Sequence, residues 1–189
     1  DFDGMVLPPG GTTVFSAEVF GDFKLEPIAV PGSGGHLHYI DPQPYTSEIL
    51  HDSNYVLNHA DGFRVSRSDA AGFSLNSFDA ANWSIFGDPL SYTLVVTGYY
   101  VNGGSISQSF DSVTTRYFQT FALGAGWSNL RYVDFTDNSV QLIHSLGDVG
   151  YDNIVVNATS LPVPDEGTTA GLFALALASF VAVRRLFVG

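Results

Sequence analysis

One stretch constrains this chain more than any other. Tyr92-Thr93-Leu94-Val95-Val96-Thr97-Gly98-Tyr99-Tyr100-Val101 is dense in β-branched and aromatic residues, the side chains that fit a pleated, half-buried surface. Asn102-Gly103-Gly104 follows, a tripeptide that takes positive φ at little steric cost. Ser105-Ile106-Ser107-Gln108-Ser109-Phe110 then returns with its apolar residues at every fourth position. The pattern predicts a β-hairpin. A hairpin alone is marginal in water, so the rest of the chain must supply strands to cover it.

The remainder reads the same way. The chain holds 15 Phe, 9 Tyr and 20 Gly, with the glycines spread as punctuation. Further strands are expected at Thr13–Phe20, Phe63–Ser66, Gly72–Phe78, Tyr117–Leu123, Leu130–Phe135, Val140–His144 and Tyr151–Val156. Short strands between turn residues favour an all-β, jelly-roll-like β-sandwich over an α/β fold. Ala29–Asp61 is the least regular part, with Pro31-Gly32-Ser33-Gly34-Gly35 and Asp41-Pro42-Gln43-Pro44, and reads as long loops with short strands between them.

Charge narrows the choice of partner. Lys+Arg 7 against Asp+Glu 19 gives a net charge of -12 over 189 residues. That balance argues against nucleic acid, whose phosphates require a basic face. Lys24, Arg64, Arg67, Arg116 and Arg131 are scattered and form no patch in the sequence. Cysteine is absent, which excludes disulfides and leaves the compartment open. The first residue is Asp1, not Met, consistent with removal of an export signal.

The composition changes after Ser160. Residues 1–160 are read as the β-sandwich domain. Residues 161–169, beginning Leu161-Pro162-Val163-Pro164, are read as a proline-held linker. Residues 170–189 are read as a hydrophobic C-terminal helix with a basic end: Ala170 to Val183 carries no charge, and Arg184-Arg185 closes it. Fourteen helical residues span about 21 Å, short of the roughly 30 Å hydrocarbon core. Thr168, Thr169 and Leu186-Phe187-Val188 extend the run to a marginal span with the arginines snorkelling. A buried core helix is the plainer alternative. The run is apolar all round, follows prolines and stops at paired arginines, which favours a transient or permanent membrane anchor with the domain outside.

Val163-Pro164-Asp165-Glu166-Gly167, the apolar run and Arg184-Arg185 together resemble a C-terminal sorting tag of the PEP-CTERM type. The closest variant begins Val-Pro-Asp-Ser-Gly, and Glu166 stands here in place of its Ser. The resemblance implies an exported bacterial protein handled by an exosortase-like membrane enzyme, in cells that make extracellular polysaccharide. Pro164 and Asp165 would then be recognition residues. The body is also similar to β-sandwich domains carried by such proteins, through Phe73–Ala81, Val96-Thr97-Gly98-Tyr99, Trp127–Phe135 and Tyr151-Asp152-Asn153-Ile154-Val155-Val156.

Candidate sites follow from residue chemistry. Asp1, Asp3, Asp152 and Asn153 offer hard oxygen ligands for a structural Ca²⁺ if the first and last strands converge. The competing reading makes them turn formers bonded to their own backbone. His36-Leu37-His38 puts two imidazoles on one face of an extended segment. With His51, His59 or Asp41 they would resemble a zinc site, although no third ligand stands at diagnostic spacing. Trp83, Tyr99, Tyr100 and Trp127 are candidate platforms for sugar rings, set against the expectation that most large aromatics fill the core.

No nucleophile elbow, zinc-protease helix or phosphate loop is present, and the chain is read as a non-enzyme. The leading expectation is an exported cell-surface or matrix protein, structural and associated with exopolysaccharide. The alternatives are a carbohydrate-binding module, a permanently membrane-anchored domain, and a glycan-active enzyme.

Overall fold

The structure, a computed structural model, describes residues 12–15, 17–28, 36–40, 55–58, 60, 62–83, 92–113, 117–137 and 148–158. The chain divides into Asp1–Thr159 and Ser160–Gly189, and the second unit lies wholly outside the described residues. So do Val163, Pro164, Asp165, Glu166, Gly167, Arg184 and Arg185, the candidate ligands Asp1 and Asp3, and the expected strand Val140–His144.

All described elements are strands. They are β1 (Thr12–Phe15), β2 (Glu18–Phe20), β3 (Phe23–Ile28), β4 (Leu37–Ile40), β5 (Tyr55–Asn58), β6 (Gly62–Arg67), β7 (Phe73–Trp83), β8 (Tyr92–Tyr100), β9 (Ser105–Val113), β10 (Gln119–Ala122), β11 (Leu130–Asp137) and β12 (Asp148–Ala158). Every pairing among them is antiparallel. One arm of the sheet runs β1-β4-β5-β12-β7-β10, and the other runs β2-β3-β6-β11-β8-β9. A single pairing, Leu130 with Phe73, joins β11 to β7 and makes one continuous, curled sheet.

The curl follows from the side-chain pattern. On β8, Leu94, Val96 and Gly98 are buried while Thr93, Val95, Thr97 and Tyr99 are only partly covered, the alternation of a strand with one wet face. Inward residues of the two arms meet. Phe63 stacks on Phe135 at 4.8 Å, and both pack edge-on against Tyr151, at 4.8 and 5.8 Å. Phe78 packs edge-on against Phe135 at 5.2 Å and against Phe110 at 5.4 Å. Burying each such ring contributes about 1.5–3 kcal/mol, and this aromatic layer is the main core.

A second, smaller core lies on the opposite face of β4, β5 and β7. Ile40, Tyr55, Leu57 and Ala81 are buried there, with Phe118 packed on them. β5 is therefore buried on both faces. The irregular Ala29–Asp61 region accordingly contributes two short strands, β4 and β5, to the middle of an arm. The single strand expected over Thr13–Phe20 is two strands, β1 and β2, in different arms.

Candidate functional site

The outward face of the β2–β9 arm gathers the chemistry that the core does not use. Cross-strand register aligns Glu26, Arg64, Asp134, Thr97 and Ser107 in a row across β3, β6, β11, β8 and β9. The adjacent row is Lys24, Ser66, Tyr132, Tyr99 and Ser105. Side chains directly opposite on antiparallel strands stand about 5 Å apart, so both rows are continuous lines of contact.

Their centre is built from β6, β11 and β8. Arg64 donates from Nε to Asp134 Oδ1 at 2.7 Å and from Nη2 to Oδ2 at 2.9 Å. This bidentate fork fixes the guanidinium plane. The Asp134 hydrogen bonds raise the Arg64 pKa above its ordinary value, with burial opposing, so the residue remains cationic. Its guanidinium carbon sits 3.8 Å from the Tyr132 ring centroid. Tyr132 stacks with Tyr99 at 4.5 Å and 27°. Arg64 approaches Tyr132 from the β6 side and Tyr99 from the β8 side, and the outer flank of Tyr99 adjoins Ser105 on β9. Thr97 and Ser107 hydroxyls lie 3.0 Å apart beside it. The result is a cation–ring–ring stack in which both faces of Tyr132 are occupied and the far face of Tyr99, beside short hydroxyls, is the ring surface available to a ligand, a combination suited to polyhydroxy ligands.

The four candidate aromatics separate. Tyr99 lies in this stack. Tyr100, its neighbour, packs on the core and donates its hydroxyl to the Gly126 carbonyl at 3.0 Å. A bulge at Leu130/Tyr132 allows Leu130 to face inward opposite Tyr100 while Tyr132 faces outward opposite Tyr99. Trp127 is 3% exposed and belongs to the core. The expectation of a sugar platform there is corrected, because the Gly124–Asn129 turn folds its indole inward over Gly98. Trp83 ends β7, and its side chain lies outside the described residues. Tyr132, Arg64 and Asp134 were not singled out in the sequence. An aromatic or charge alternating with Val133 and Phe135 was the available signal.

Asp152 and Asn153 sit at a bulge in β12. Asp152 is 1% exposed and pairs in register with Asp79 on β7. Asn153, at φ 45°, donates from its backbone nitrogen to Asp152 Oδ1 at 2.7 Å and from Nδ2 to Asp79 Oδ2 at 2.8 Å. One asparagine thus bonds two facing carboxylates. His36 and His38 have ring centroids 4.5 Å apart, and among the described residues no group of three metal-ligating side chains forms.

The interior carries one more polar set. Asn58 donates from Nδ2 to Asp137 Oδ2 at 3.0 Å and accepts from the Ala60 nitrogen at 3.1 Å. Burial, and then the charge of Asp137, push the Tyr151 phenol well above its ordinary pKa.

No protein-family model and no curated protein matches the chain. Among solved structures, the chain is similar to the enzymatically active domain of tailspike protein 4 from bacteriophage CBA120. The likeness has 12% identity and a TM-score of 0.42, and covers 74% of this chain and 20% of that one.

Proposed function

We propose that the chain is an exported cell-surface or matrix protein that associates with extracellular polysaccharide through the outward face around Tyr99 and Tyr132. The observation that carries the reading is the stack of Arg64, Tyr132 and Tyr99 on a face that also carries the hydroxyls of Ser66, Thr97, Ser105 and Ser107. Sugars present apolar C–H faces and rings of hydroxyls, which stacked tyrosines and short side-chain hydroxyls complement. The two arms meeting through Phe63, Phe78, Phe135 and Tyr151 support a jelly-roll-like sandwich, with this site on one outer face. The role is binding and structural, not catalytic.

Location rests on the C-terminal order of Val163–Gly167, the uncharged run Ala170–Val183 and Arg184-Arg185. In this reading an exosortase-like enzyme recognises Pro164 and Asp165, and the apolar run holds the chain in the membrane until it is processed.

Two measurements test the proposal. Retention of the protein on polysaccharide from the producing cell should fall about tenfold in the Tyr99→Ala/Tyr132→Ala double variant. Unchanged retention would remove the face from consideration. The intact mass of protein recovered from the cell surface should lack everything beyond the Pro164–Asp165 region. Full-length protein found only in membranes would mean a permanent anchor instead.

A further inference from the structure

The edges of the sheet are unequal. β1 and β10 are four residues long and β2 is three, whereas β9, also at an edge, is nine. Among the described residues β9 pairs only with β8, and none of them matches the backbone donors and acceptors along its other side. Ser105, Ser107, Gln108, Ser109 and Asp111 are exposed. Long edges are ordinarily guarded by lysine, proline or inward charges. Ser105–Val113 has no lysine or proline, and Asp111 is its one charge.

We propose that β9 is a self-association edge, pairing antiparallel with β9 of a second copy about a two-fold axis at Gln108. Antiparallel pairing of a strand with itself is isologous and closes as a dimer. An axis through a residue keeps the inward faces of both copies on the same side. With Gln108 on the axis, Ile106 of each copy meets Phe110 of the other, Ser107 meets Ser109, and Ser105 meets Asp111. Ile106 and Phe110 are the partly buried apolar residues of this strand, and no other axis residue matches them. Moving the axis one residue either way sets Ile106 or Phe110 against Gln108. The Gln108 register also keeps the two Asp111 carboxylates apart, which matters in a chain of net charge -12. The paired copies extend the outward glycan-facing rows across the junction, yet the association itself does not depend on glycan.

Sedimentation velocity of the full chain, from low micromolar to submillimolar concentration, reads the equilibrium. The wild type should show a monomer–dimer equilibrium. Gln108→Lys and Gln108→Glu should each weaken it roughly three- to tenfold, because each places two like charges opposite one another at the axis. An equimolar mixture of the two variants should associate at least as tightly as the wild type. Gln108 is exposed, so both variants should melt as the wild type does. A wild type that stays monomeric throughout overturns the proposal. So does association that neither charge disturbs, and so does a mixture that fails to restore it.

Discussion

Tyr151 places a phenol in the middle of an aromatic layer, where its ring is useful and its hydroxyl is not. It is 0% exposed, its hydroxyl meets no hydrogen-bond partner among the described residues, and its ring packs edge-on against Phe63 at 4.8 Å. A buried unsatisfied hydroxyl costs about 1–3 kcal/mol. Tyr151→Phe keeps the ring and should raise stability by about 1 kcal/mol in urea unfolding. A loss instead would identify a bound water as the partner of the hydroxyl. The sign of the pH effect follows from the raised pKa. The unfolded phenol ionises near pH 10 and the folded one above that, so wild-type stability should fall from about pH 10 upward. The phenylalanine variant should lack that slope. Asp69 behaves in the opposite sense. The Arg67 guanidinium, 2.8 and 2.5 Å from its oxygens, and the Ala71 nitrogen hold its carboxyl well below the usual range. Its contribution is complete above about pH 4, the unfolded value, and is lost as pH falls through the lower folded value. The melting difference between the wild type and Asp69→Asn should therefore be constant from neutral pH to about pH 4 and shrink below it.

At the scale of elements, close approach between strands sets what each can tolerate. A Cβ on Gly62 would collide with the Phe135 carbonyl oxygen and lie 2.9 Å from the Thr136 side chain, so β6 can reach β11 there only without a side chain. Gly62→Ala should cost roughly 2–3 kcal/mol or more, read as a lower denaturant midpoint, since the backbone must shift to admit it. The same physics explains which elements the sequence reveals. From Thr93 to Tyr99, β8 alternates buried and partly covered residues, and its period of two is visible without coordinates. β5 is buried on both faces, which removes the alternation, and its Tyr-Val-Leu-Asn run is too short to stand out as a strand. β3 carries Pro27, a residue type disfavoured inside a sheet because it has no N–H to donate. Yet β2 pairs with β3 only as far as Leu25, so among the described residues Pro27 has a paired strand on the β6 side alone. The site was legible in part. Tyr99 could be assigned an outward face by parity, but the Arg64–Asp134 pair joins residues 70 positions apart, and no local pattern announces such a contact. The inward turn of Trp127 depends on a loop anchored to Leu75, equally beyond local reading.

For the molecule as a whole, charge sets the terms on which the proposed association with polysaccharide would work. Lys24, Arg64 and Arg67 are each engaged by Glu26, Asp134 and Asp69, so these cations neutralise neighbours and leave the excess of carboxylates uncompensated. A protein of net charge -12 repels an acidic polysaccharide over roughly a Debye length, about 8 Å at physiological salt. Contact through the Tyr99–Tyr132 face then requires the repulsion to be offset. Divalent cations do this, because hard carboxylate oxygens from protein and polymer can share one ion. Binding to an acidic polysaccharide should therefore strengthen with millimolar Ca²⁺, disappear with chelator, and also strengthen modestly as monovalent salt screens the repulsion. Binding to a neutral polysaccharide should follow the tyrosines alone and ignore both ions. Affinity electrophoresis in gels of each polymer, with and without calcium, separates the cases. Calcium-independent retention on the acidic polymer would mean that Arg64 and the hydroxyl rows outweigh the net charge, and the electrostatic argument would fall while the stacking one stood.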